Sequence, residues 1–115
     1  LGNLVFVSDL RKEIDPRAIR LALMAHHYRS DFEWFDEEGP RAQRDLELLI
    51  RSGGGVEPVS EGPLIDEVRD ALDNDLDTPR ICDLLLREAQ AIEEGTSSSP
   101  QGCLVAAASL CGIQL

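Results

Sequence analysis

Aromatic side chains are scarce in this 115-residue chain. Phe6, Tyr28, Phe32, Trp34 and Phe35 are the full set, and four of the five fall between Tyr28 and Phe35. Long apolar runs are missing too. The longest, from Cys103 to Cys111, is broken by Ser109 and falls far short of the ~20 residues that a membrane-spanning helix needs. No cationic flank precedes an apolar segment near the N-terminus, so that stretch does not read as a secretory signal. Paired cysteines are absent as well. Cys82, Cys103 and Cys111 are widely spaced and form no Cys-x-x-Cys motif, each in an apolar helical context. They read as buried free thiols in a reducing cytosol.

Positive charge is the last shortage, and it is uneven. The formal net charge is −11. Residues 1–55 carry 8 basic and 10 acidic side chains, whereas residues 56–115 carry 3 and 12. A nucleic-acid surface needs Lys and Arg to neutralise phosphates. The second half lacks them, which argues against RNA binding there.

What is present is helical periodicity. Leu4-Val5-Phe6-Val7 suits a short extended segment, and Ser8-Asp9 can cap a short helix over 9–13. Asp15-Pro16 is a helix start, with Asp as cap and Pro at the first position. The pattern predicts a helix over 16–28. One stripe is Ile19, Ala22, Leu23, His26 and His27; a second is Leu21, Met24, Ala25 and Tyr28, as expected of a helix packed on two sides. Another helix is predicted over 37–51, with Ala42, Leu46, Leu49 and Ile50 inside and Pro40 tolerated in its first turn. Residues 52–63 are glycine-rich and aperiodic, a flexible loop or linker.

A helix over 63–76 should bury Leu64, Ile65, Val68, Ala71 and Leu72. Thr78 should cap the next, with Pro79 at its first position and Ile81, Leu85, Ala89 and Ile92 as its stripe. After a polar loop over 95–102, residues 104–110 should form a buried last helix that Gly112 ends. Ile113 and Leu115 should then pack back. The fold class expected is all-α: a small bundle of about five helices behind a short extended N-terminal segment.

The sequence assigns no chemical site: no catalytic, cofactor-binding or metal-ligating residue. Asp73, Asp75 and Asp77 alternate like the start of a calcium loop, but the required Gly and Glu are replaced by Thr78 and Leu84. They read as an acidic helix end and a cap. His26 and His27 point about 100° apart on a helix and cannot share a metal as an i, i+4 pair would. A packed or hydrogen-bonded histidine is the better reading. Thiols in apolar helices have raised pKa values and make poor nucleophiles. Gly53-Gly54-Gly55 lacks the Lys-Ser/Thr of a phosphate loop. Arg17, Arg20 and Arg29 could touch a phosphate, but pairing with Asp9, Glu13, Asp31 or Glu33 accounts for them more simply.

Several local stretches do resemble a known family. Leu1-Gly2-Asn3 is similar to the segment that follows the ATP-binding KMSKS loop in class I aminoacyl-tRNA synthetases, and so reads as the interior of a longer protein. Asp15-Pro16, Ala18-Ile19-Arg20-Leu21 and His27-Tyr28-Arg29-Ser30 resemble the same region of cysteinyl-tRNA synthetases. Asp75-Leu76-Asp77-Thr78-Pro79 and Leu110-Cys111-Gly112-Ile113 resemble that family's C-terminal helical domain. His26-His27-Tyr28-Arg29-Ser30-Asp31-Phe32-Glu33-Trp34 is closer to the paralogous actinobacterial mycothiol ligases, which join cysteine to glucosaminyl-inositol. Their lack of a tRNA partner agrees with the acidic second half.

The resemblance implies a cytoplasmic C-terminal fragment divided into three parts. Residues 1–52 would follow the KMSKS loop as a stem-contact-like segment, 53–63 would link, and 64–115 would form the C-terminal bundle. The partner implied is a missing N-terminal catalytic domain that holds ATP and zinc and acts on cysteine and glucosaminyl-inositol. The fragment itself would have no cofactor and no activity. The other reading kept open is the tRNA-binding C-terminal region of a cysteinyl-tRNA synthetase.

Overall fold

In the computed structural model, residues 15–26, 38–74 and 76–115 are described. They form five α-helices: α1 Pro16–Met24, α2 Glu38–Gly53, α3 Pro63–Asp73, α4 Thr78–Glu94 and α5 Gln101–Leu110. The all-α expectation holds. The expected segments at 4–7 and 9–13 lie outside the described residues, as do His27, Tyr28, Arg29 and Asp75.

Asp15 caps α1 as its chemistry requires, accepting from the Arg17 backbone N–H at 2.9 Å, with Pro16 at the first position. The helix ends at Met24, short of the predicted Tyr28. Ala25 donates back to Leu21, and His26 donates to Leu23, a tightened final turn. Ala18, Ile19, Leu21, Ala22 and Met24 are buried, but Leu23 is 46% exposed and Ala25 is exposed. The helix is therefore covered on one broad face, and the predicted second stripe is not buried throughout.

α2 buries Ala42, Leu46 and Leu49 as expected, while Ile50 lies at its margin, 36% exposed. It also continues past the predicted end. Ser52 is fully buried and donates to the Ala89 carbonyl at 3.1 Å, tying α2 to α4. The aperiodic stretch that follows is pinned at several points. Val59 donates to Gly102 at 2.9 Å, Cys103 donates to Glu61 at 3.4 Å, and Gln101 donates to Ser52 at 3.1 Å.

α3 stops at Asp73, three residues earlier than predicted, although Leu64, Ile65, Val68 and Ala71 face inward as expected. The turn after it explains the stop. Leu76 takes the left-handed conformation (φ 50°) and Asp77 donates to the Ala71 carbonyl at 2.9 Å. Asp77, not Thr78, caps α4, accepting from the Arg80 backbone N–H. Both residue types cap well. Thr78 is diverted instead, its hydroxyl donating to the His26 carbonyl at 3.2 Å.

α4 is the central helix and touches each of the other four. Ile81, Leu85 and Ala89 are fully buried along it, and Ile92 is half-buried. α5 begins at Gln101, three residues before the predicted start, and its outer end is open, with Leu110 42% exposed. Gly112 (φ 81°) turns the chain so that Ile113, fully buried, packs back with Leu115 beside it. One apolar cluster runs through all five helices.

Candidate functional site

Among the described residues a cavity of about 400 Å³ opens between α1, α2 and α4. Its volume suits a small molecule. Leu21, Ala42 and the Cys82 thiol lie on its buried side, and Arg41, Asp45 and Asp83 supply charge. Burial pushes the Asp45 carboxyl above its usual range, and nearby Arg41 and Arg44 partly oppose this. His26 lines the same cavity from the end of α1.

Among the described residues that line it, none is an activated nucleophile. Cys82 points its thiol at the Leu21 carbonyl, 3.8 Å away, and burial pushes its pKa up to about 12. Burial also raises Cys103 and Cys111. All three are free and buried, as expected. Protonated thiols are not metal ligands. No group of three His, Cys, Asp or Glu among the described residues is placed to hold a metal ion.

The other weighed residues are dispersed. Asp77 is the α4 cap and Asp73 ends α3. Gly53 closes α2, whereas Gly54 and Gly55 belong to the turn after it. Arg17 pairs with Asp15 at 2.9 Å, a carboxylate outside the expected set, and Arg20 donates to the Cys111 carbonyl. Ser52 is a buried polar residue that apolar periodicity does not mark, although it continues the Ala42, Leu46, Leu49 spacing. That continuation was the available signal.

The thiols give a direct test. In the folded chain they should stay unreactive toward an aromatic disulfide reagent at pH 8, and all three should react in denaturant. The linkage sign follows. Cys82 is raised by folding, so the unfolded chain loses its proton first. The stability tied to that proton is fully present below the unfolded pKa near 9 and is lost as pH rises toward 12. Urea midpoints should fall across that window, and less steeply in Cys82→Ala.

Comparison with known proteins adds what the cavity lacks. No family model matches the chain. Several curated relatives do, each an L-cysteine:1D-myo-inositol 2-amino-2-deoxy-alpha-D-glucopyranoside ligase. The protein of Streptomyces avermitilis is 54% identical over 85 residues, covering 68% of this chain and 19% of the ligase. That of Streptomyces griseus is 43% identical over 104 residues, covering 88% and 25%. That of Thermobifida fusca is 46% identical over 101 residues, covering 86% and 24%. The chain spans about a fifth to a quarter of the length of these relatives.

Proposed function

We propose that this chain, a relative of one segment of the L-cysteine:1D-myo-inositol 2-amino-2-deoxy-alpha-D-glucopyranoside ligases, is the helical support region of such a ligase, at its C-terminal end. The observation that carries this reading is identity of 41–54% to that segment across separate relatives. The protonated thiols and the lack of an activated nucleophile among the described residues suit a supporting role.

In this reading the chemistry belongs to the rest of the protein. Cysteine is activated with ATP as an adenylate, then joined to the amine of glucosaminyl-inositol. ATP and zinc are held there. Residues 1–52 meet the catalytic domain, 53–63 connect, and 64–115 brace them. The whole protein works in the cytoplasm. No helix among the described residues is long and apolar enough to cross a membrane.

The test uses the complete protein and the isolated chain in parallel. The complete protein should consume glucosaminyl-inositol in the presence of cysteine and ATP. Charging of tRNA instead would assign the chain to a cysteinyl-tRNA synthetase, where it would bind RNA. The isolated chain should show no cysteine-dependent pyrophosphate exchange; exchange by the chain alone would overturn the supporting role.

A further inference from the structure

α1 has nine residues, too few for a helix to persist in water without support. Its inward face is Ala18, Ile19, Leu21, Ala22 and Met24, so two of its five buried residues are alanine. Among the described residues, the ten largest fully buried side chains include none from α1. Among the described helices, α1 touches α2 and α4 only.

Polar contacts reach it from the opposite end of the sequence. The Arg17 guanidinium donates from Nη1 to the Gln114 carbonyl at 2.6 Å, and Arg20 Nε donates to the Cys111 carbonyl. Arg17 is held for this task by Asp15, which accepts from Nη2 at 2.9 Å and Nε at 3.1 Å while capping the helix. The turn they grip is fixed in turn. Ile113 is fully buried and donates to Ala108 at 2.9 Å, and Gly112 sits at φ 81°. A side chain at Gly112 would meet Arg20, because a Cβ there would lie 2.9 Å from Nε. The backbone conformation demands glycine, and a larger residue would also displace the Arg20 guanidinium.

We propose that residues 111–114 form a strap that clasps α1 through Arg17 and Arg20, and that α1 is a separable unit of the fold. Unclasping releases α1 while α2 to α5 remain packed. The strap is thus a conformational control on the N-terminal side of the molecule.

Amide hydrogen exchange of the 115-residue chain tests this. In Arg17→Ala/Arg20→Ala the amides of residues 20–25 should exchange at least roughly 30-fold faster, since two charge-assisted hydrogen bonds are lost. The amides of 81–89 in α4 should change by less than about 3-fold, within the same measurement. Arg20→Lys, a milder change that serves if the double variant does not fold, should give a smaller acceleration confined to α1. Equal acceleration in α1 and α4, or none in α1, overturns the proposal.

Discussion

Gly102→Ala is expected to destabilise the chain by about 2–3 kcal/mol, read as a lower urea midpoint at unchanged slope. The sign is not the default one. Gly102 lies inside a helix with no positive φ, and there alanine normally gains up to about 1 kcal/mol through propensity. Close approach reverses it. A Cβ at this position would run into the Glu57 carbonyl oxygen and sit 2.7 Å from Val59 Cγ2 and 3.0 Å from Val59 N. Two of those three atoms are backbone, so no rotamer change relieves the clash. Val59 is also bound to the Gly102 carbonyl, so the 57–59 segment must leave α5 and give up that bond. Gly53→Ala is the informative control. Its Cβ would meet only side-chain atoms of Leu104 and Val105 at 3.3 Å, which can yield. Its effect should stay within about 1 kcal/mol of zero. Equal losses at both positions would mean that the 57–59 contact is not what makes Gly102 necessary.

Leu85→Ala should cost about 3–4 kcal/mol, as expected when a fully buried leucine leaves a cavity its neighbours cannot collapse into. Leu85 sits midway along α4, the helix that touches all the others. Neighbouring helices cannot close on the void without losing contacts elsewhere. For a small domain with a total stability of 5–15 kcal/mol this is a large share, and about 4–8 °C of Tm should be lost per kcal/mol. Leu110→Ala, at a position 42% exposed, should cost less than about 1 kcal/mol. Calorimetry of the two variants side by side separates burial from a general leucine effect.

Helix starts were the most legible part of the fold. Asp15-Pro16, Pro63 and the Asp77-Thr78-Pro79 run combine a hydrogen-bonding side chain, a fixed φ or both, and these act within four residues. Ends were less legible. α1 and α3 stop earlier than their apolar patterns suggest, because the last turn is set by long-range or turn contacts: Thr78 reaching the His26 carbonyl, and Asp77 reaching Ala71 through a left-handed Leu76. The same competition moved the α4 cap from Thr78 to Asp77. Leu23, Ile50 and Leu110 follow apolar spacing yet stand partly in solvent. Periodicity defines a stripe, but a neighbour decides how wide a stripe is covered.

The candidate site was legible in a different way. The buried thiols could be read from their apolar surroundings. The kinship with a ligase segment could be read from stretches such as Asp15-Pro16 and His26-His27. The cavity could not be, because Leu21, Asp45 and Cys82 come from three helices whose meeting no local rule anticipates.

By itself, then, the sequence determined the helical class, the starts of α1 and α3, the burial of its cysteines and the kinship of the chain. Those properties rest on local hydrogen bonding, φ restriction and side-chain polarity, which act over a few residues. Only the tertiary structure decided that the glycine-rich stretch after α2 docks on α5 through Gly102, that Ser52 ties α2 to α4, and that Arg17 and Arg20 grip the turn at 111–114. Each of those contacts joins residues more than thirty positions apart. Their geometry exists only after the helices have packed.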